Sequence, residues 1–301
     1  MSLSRARIEV PRDLGTVTEI DYSAECQPAD VGMTRAGVNR IWHAVENFYR
    51  SGLQPAITLV LRRHGQIVMK RAIGATDGNL PGESGPRVPL SPDSPICLFS
   101  ASKAISSLLV HKLIEQGQLR LDDRIADYIP EFSAKGKGSV TVLQLLAHRA
   151  GIPDLPHHDP RPDLLHHWDE IVRLLCEAEP FDPNFDAQAY HALTAGFIAG
   201  ELVRRVTKRE LPELLREWIA EPLGCRYMTY GLTADQRAHS PRNVCTGIRP
   251  VWPLTVIAEH VLGVSFEAAV EGSNADAFYD SVVPAGNIWA SADDASRVFQ
   301  M

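Results

Sequence analysis

Ser100 and Lys103, in the run Phe99-Ser100-Ala101-Ser102-Lys103, are the first residues of this chain whose types and spacing could do chemistry. A serine hydroxyl is a weak nucleophile at neutral pH and needs a proton acceptor within hydrogen-bond reach before it can attack an acyl carbon. Positions i and i+3 of a helix share a face, so a hydroxyl and an amine at this spacing can meet. At the start of a helix, the partial positive charge and the free N–H groups also favour an alkoxide and, after attack, an acyl oxyanion. The tetrapeptide carries little weight by itself, because about one Ser-x-x-Lys match arises by chance in a chain of this size. The plain alternative is a helix cap followed by a solvated lysine.

A second candidate is a metal site built from His157, His158, His166 and His167 with Asp159 and Asp163. Imidazoles and carboxylates are suitable zinc ligands. Their spacing, however, matches neither His-x-x-x-His on a helix nor another ligand pattern, and a solvated loop is expected there. We therefore expect no metal and no cofactor. The chain contains no Gly-x-Ser-x-Gly elbow, which argues against an α/β-hydrolase.

The elements that would position Ser100 and Lys103 follow from periodicity. Val38, Ile41, Trp42, Val45 and Phe48 recur at helical spacing over Arg35 to Tyr49, with Thr34 available as a cap. Ala56 to Leu61 and Ile67 to Ile73 are β-branched runs split by Arg63-His64-Gly65-Gln66, which predicts a hairpin. Asn79 to Pro95, dense in Gly, Pro and Ser, is expected to be a surface loop. From Ser100 to Gln116 a helix is predicted, with Ile105, Leu108, Leu109 and Leu113 on one stripe and Gly117 ending it. Further helices are expected over Val140 to His148, Asp169 to Glu177, Ala192 to Thr207 and Glu210 to Ala220, with a His- and Pro-rich loop over His157 to His167. With no linker or repeat visible, residues 1–301 are expected to form one domain: helix and hairpin to about residue 100, then a mainly helical region to about 280.

Composition narrows the partners. Hydrophobic residues make up 45% and charged residues 22%, as in ordinary soluble globular proteins. A net charge of −7 provides no basic field for nucleic acid, so a small-molecule substrate is the default. No stretch reaches the length of a membrane span and no secretory h-region is visible. The five cysteines are scattered without a Cys-x-x-Cys pair. These features predict a cytoplasmic protein.

Three blocks in order carry a resemblance: Phe99 to Lys103; Gly117-Gln118-Leu119-Arg120-Leu121-Asp122-Asp123-Arg124-Ile125 followed by Tyr128-Ile129-Pro130-Glu131-Phe132; and Thr141-Val142-Leu143-Gln144-Leu145-Leu146-Ala147-His148-Arg149-Ala150-Gly151-Ile152. Together they resemble the class C β-lactamase family, which also includes carboxylesterases, D-amino-acid peptidases and acyltransferases and is part of the penicillin-binding-protein-like superfamily. The resemblance implies an α+β serine β-lactamase/DD-peptidase-like fold: an antiparallel sheet flanked by helices, plus an all-helical region. It implies Ser100 as the acyl-accepting nucleophile and Lys103 as a proton-handling partner. The family's second motif, commonly Tyr-x-Asn, matches at Tyr190, which makes Tyr190 the other partner and titrates it with Lys103 as a coupled pair. His191, beside it, is implied as a substrate contact.

Ala192 stands where β-lactamases carry the Asn that hydrogen-bonds the antibiotic's amide, so the resemblance favours the carboxylesterase branch and a small ester substrate. A β-lactamase or D-amino-acid peptidase acting on a β-lactam-like substrate is the alternative, and a catalytically impaired binding protein is another. Pro284 to Asp294 resembles the family block that precedes the last strands, but the family's His-x-Gly or Lys-Thr-Gly triplet does not follow before Met301. The C-terminal strands of the sheet are therefore expected to be missing from these 301 residues, leaving a lone hairpin whose open edge invites a homo-oligomer and lowers activity.

Overall fold

The computed structural model describes residues 7–83, 85–155, 162–248, 252, 255, 256 and 263–301. The first long element is helix α1, Arg35–Arg50, capped by Thr34, whose hydroxyl accepts from the Gly37 N–H at 3.0 Å. Its inner face buries Val38, Trp42 and Tyr49, whereas Ile41 and Phe48, expected on the same stripe, are exposed. The stripe against the sheet is narrower than the apolar pattern suggests.

Strands β2, Ala56–Arg63, and β3, Gln66–Asp77, form the expected hairpin. His64 and Gly65 both have positive φ, 51° and 80°, as a two-residue turn matched to the twist of the flanking strands requires. The hairpin is not alone, which corrects one expectation. Strand β1, Thr18–Ile20, comes from the polar N-terminal lead and pairs antiparallel with β3, Thr18 opposite Ile73, so β3 lies at the centre in the order β1-β3-β2. The helix Ala292–Val298 covers β2 through Arg62, whose guanidinium meets the Asp293 carboxylate and donates to Ser296 Oγ at 2.8 Å. Among the described residues no strand pairs with the outer edge of β2.

Asn79 to Pro95 is not simply a surface loop. Strand β4, Val88–Pro89, pairs with the end of β3, Leu90 and Asn79 are buried, and the Asn79 amide donates to Pro55 O at 2.6 Å. A second small sheet joins β5, Ile96–Cys97, and β6, Thr229–Tyr230, to the two sides of β7, Ile288–Ala290. It places the segment before Ser100 beside Ile288 to Ala290, with Ile96 opposite Ala290 and Cys97 opposite Trp289.

The helical region is built from α2, Ser102–Glu115, α3, Val142–Leu146, α4, Trp168–Glu177, α5, Thr194–Thr207, and α6, Leu211–Leu215, which runs on into a π-helical turn, Arg216–Ala220. Ile105, Leu109, Val110 and Leu113 of α2 are buried among Ile198 and Leu202 of α5 and Leu214 of α6 in one apolar cluster. Thr141 and Gln144 cap α3 reciprocally, each side chain bonding the other's backbone N–H. Among the described residues no helix is long and apolar enough to cross a membrane.

One charge lies inside this region. Lys137 is fully buried, and its ammonium donates to Ala134 O at 3.0 Å, Cys176 O at 2.9 Å and Ala178 O, so it closes the C-terminus of α4 where the free carbonyls carry partial negative charge. Burial pushes its pKa below the ordinary lysine value. Lys137→Met keeps the bulk but strands two buried acceptors, Cys176 O and Ala178 O, each worth about 1–3 kcal/mol. Removing the desolvated charge offsets part of this, and a net loss of about 2–4 kcal/mol is expected. Urea unfolding with an unchanged m-value and a lower midpoint is the expected observation; an unchanged or higher midpoint would remove the clasp from the list of stabilising contacts.

Candidate active site

The chain must turn from β5 into α2 within a few residues. The Leu98 N–H donates to Ile288 O at 2.9 Å, and Phe99 then takes a φ of +43°, uncommon for a bulky side chain. Phe99–Ala101 is a tight 3₁₀ turn and the α-helix begins only at Ser102, two residues later than periodicity predicts. Ser100 therefore sits on the turn ahead of the helix, its side chain exposed, at a strained bend of the kind found beside reacting groups.

Below it, one polar seam of α2 grips the turn of residues 283–288. Lys103 Nζ donates to Ala285 O at 3.1 Å, Ser106 Oγ to Pro284 O at 2.6 Å, and Ser102 Oγ accepts from Ile288 N at 3.0 Å. Asn287, fully buried, ties the same turn together: its carbonyl oxygen accepts from Val283 N at 2.8 Å and its amide donates to Phe278 O and Ser281 O at 2.9 and 2.7 Å. Helix α5 closes on the turn through Gly196, where a Cβ would lie 2.7 Å from Ala285 N. Only glycine permits that approach.

Tyr190 arrives on a strap, residues 186–191, bound to the turn that follows α3. Arg149 donates to Asp186 O at 2.8 Å, Gln188 to Ala147 O at 2.9 Å, and Ala189 N to His148 O at 3.1 Å. His191 N donates to His148 Nδ1 at 3.2 Å. The Tyr190 phenol, 42% exposed, donates to Ser100 Oγ at 2.8 Å, and Lys103 Nζ reaches the same oxygen at 3.1 Å while lying 4.8 Å from the centre of the Tyr190 ring. Ser100, Lys103 and Tyr190, predicted from 100 to 190 along the sequence, thus meet at one hydroxyl.

Burial alone would raise the Tyr190 pKa, but hydrogen bonds from Lys103 and Ser100 and the charge of Lys103 outweigh it and hold the phenol below its ordinary value. His148 is held below the usual imidazole value by burial and then by Lys103.

His191 departs from expectation. It is fully buried, its Nε2 accepts from the Ile152 N–H at 3.1 Å, and its Nδ1, which must then carry the proton, donates to Ala189 O at 2.6 Å. Both ring nitrogens are thus occupied by backbone, and burial pushes its pKa down to about 4. The ring fixes the strap and has no nitrogen left for a substrate. Ala192 is also buried and brings no polar group to the site.

Of the histidine-rich candidate, His157, His158 and Asp159 lie outside the described residues, as does the side chain of Asp163. His166 is engaged with Ser281 Oγ at 3.1 Å, and among the described residues no group of three or more His, Cys, Asp or Glu side chains is arranged to hold a metal. Ser102, Ser106, Asn287 and His148 are site residues that sequence reading did not single out. Ser102 and Ser106, four apart on one face of the predicted helix, were a readable signal; for His148 it was a place in the third block of the resemblance, at the end of a helical pattern.

A family model described as Beta-lactamase matches residues 44–301. Esterase/beta-lactamase LipL of Mycobacterium tuberculosis is 37% identical over 136 residues, 45% of this chain and 31% of that protein. A solved penicillin-binding protein homolog from Caulobacter crescentus is similar with a TM-score of 0.69 at 29% identity, over 87% of this chain and 67% of that one. A solved family VIII carboxylesterase gives 0.68 at 30% identity, over 82% of this chain and 64% of that one. The chain spans about a third of the curated relative's length and about two thirds of each solved neighbour's.

Proposed function

The chain belongs to the Beta-lactamase family, with the serine β-lactamase/DD-peptidase fold, and from that premise we propose that it is a serine hydrolase cleaving small carboxylic esters through an acyl-enzyme on Ser100. The observation that carries this reading is the single hydroxyl of Ser100 held between the Tyr190 phenol and the Lys103 amine. Tyr190, as phenolate, takes the Ser100 proton while Oγ attacks the ester carbonyl carbon. Lys103 holds negative charge on the phenol oxygen, and the N-terminal turn of α2 faces the charge that develops on the carbonyl oxygen. Collapse of the tetrahedral adduct expels the alcohol, which receives the proton from Tyr190. Water then gives a proton to Tyr190 and attacks the acyl carbon; collapse of this second adduct releases the acid and expels Ser100 Oγ, which takes the proton back from Tyr190 and so restores both hydroxyl and phenolate.

Ala192 favours esters over β-lactams. Where a β-lactamase would present an Asn amide to the antibiotic, this chain has a buried methyl group, and a site lacking that polar partner forfeits the discrimination it supplies. LipL, whose name joins both activities, keeps the second reading in view. We expect kcat/KM for a short-chain activated ester to exceed that for a cephalosporin by about 100-fold or more on one preparation, two hydrogen bonds of roughly 1.4 kcal/mol each being at stake. Faster cephalosporin turnover would return the chain to the β-lactamase branch, and no turnover of either would leave a binding protein.

A further inference from the structure

We propose that His148 is a positioning residue for Tyr190: its ring and its backbone together clamp the strap on both sides of the phenol. The inference rests on the reading of Tyr190 as the base and adds a residue to it. The backbone carbonyl of His148 accepts from Ala189 N at 3.1 Å, while its ring Nδ1 accepts from His191 N at 3.2 Å, so one residue bonds the neighbours of Tyr190 before and after. The ring also lies 5.0 Å from the Tyr190 ring and 5.6 Å from that of His191.

The backbone of His148 argues in the same direction. Its φ is +59°, the left-handed region where glycine sits without strain and a side chain costs about 1 kcal/mol. A turn of this shape does not need a side chain there, and Gly151 of the same turn, at φ +73°, has none.

The clamp works only with a neutral imidazole, because Nδ1 must offer its lone pair to the His191 N–H. The titratable groups around it are Lys103, Tyr190 and His191, and Arg149 is turned away to Asp186 O. Lys103 is the charge among them that acts on His148, and it disfavours the imidazolium. The same cation holds the phenol.

The test compares the unaltered chain with His148→Gly and His148→Asn. Glycine suits the positive φ and removes the ring; asparagine tolerates the same φ and returns an acceptor oxygen close to the place of Nδ1. The backbone bond to Ala189 survives in all three. Tyr190 ionisation is read without substrate, as the ultraviolet difference between each protein and its Tyr190→Phe counterpart across pH, and short-chain ester kcat and KM are read beside it. In His148→Gly the Tyr190 midpoint is expected to rise by about one pH unit and kcat to fall about tenfold at constant KM, and in His148→Asn both return most of the way. An unchanged Tyr190 midpoint in His148→Gly overturns the clamp, and so does an Asn variant no nearer to the original than Gly. Because the ionisation needs no substrate, a chain without esterase activity would sink the proposed function and leave this test standing.

Discussion

Ser100→Ala lowers kcat for a short-chain activated ester by about 10⁴ or more, and the acyl adduct disappears from the peptide carrying residue 100. The size follows from the number of roles lost at one oxygen. Ser100 Oγ is the point on which the Tyr190 phenol at 2.8 Å and Lys103 Nζ at 3.1 Å converge, so its removal leaves a base with nothing to deprotonate. The helix N-terminus and the cleft remain and account for what activity persists. Ser100 is exposed, and removing its hydroxyl leaves no buried group unsatisfied, so stability is expected to change by less than about 0.5 kcal/mol. Mass spectrometry after incubation with the ester, set beside steady-state turnover, checks both parts. An adduct that persists in the alanine variant, or a fall in kcat of less than tenfold, would assign the nucleophile elsewhere.

Tyr190→Phe is the second large effect, about 10²–10⁴ in kcat with KM little changed, because it removes one oxygen and nothing else. The ring still packs on His148 at 5.0 Å and still lies under Lys103 at 4.8 Å. Its pH dependence identifies it. Tyr190 must be ionised to take the serine proton, so kcat/KM rises with pH, tenfold per unit, until the pH passes the phenol's pKa. That rise ends at lower pH than an ordinary tyrosine would allow, since the bonds from Lys103 and Ser100 and the charge of Lys103 overcome the opposing effect of burial. In Tyr190→Phe the rising limb is expected to vanish. A pH profile of unchanged shape in the variant would exclude the phenol as the base.

Sequence periodicity located the long elements because each of them packs an apolar stripe against the core. The stripes of α1, α2 and α5 and the two runs of the hairpin were readable for that reason. Strand β1 was not, since three residues of Thr-Glu-Ile in a polar lead have no period, and β3 specifies their pairing. The sheet formed by β5, β6 and β7 was missed likewise, its strands being two or three residues long. At the site, residue types and spacing pointed to Ser100 and Lys103 and the family resemblance pointed to Tyr190, whereas the environment decided His191. A histidine beside a catalytic-looking tyrosine suggests a ligand contact, and only the backbone of Ile152 and Ala189 shows that both of its nitrogens are already taken. The shift of the helix start from Ser100 to Ser102 was hidden for a similar reason, because the turn is imposed by the direction of β5.

The strap that carries Tyr190 is held through main-chain atoms on at least one side of each of its anchors: Asp186 O, Ala147 O, Ala189 N and O, His191 N and Ile152 N. Main-chain atoms are the same whatever the side chain. Residues 186, 187 and 189 can therefore change identity over evolutionary time without moving the phenol, since Asp186, Ala187 and Ala189 make no side-chain hydrogen bond of their own to hold it, whereas Gln188 anchors the strap through its side-chain amide. Mutational drift in this segment would alter what approaches Ser100 and leave the proton acceptor where it is, so new substrate preferences are accessible here by single steps that keep the reaction.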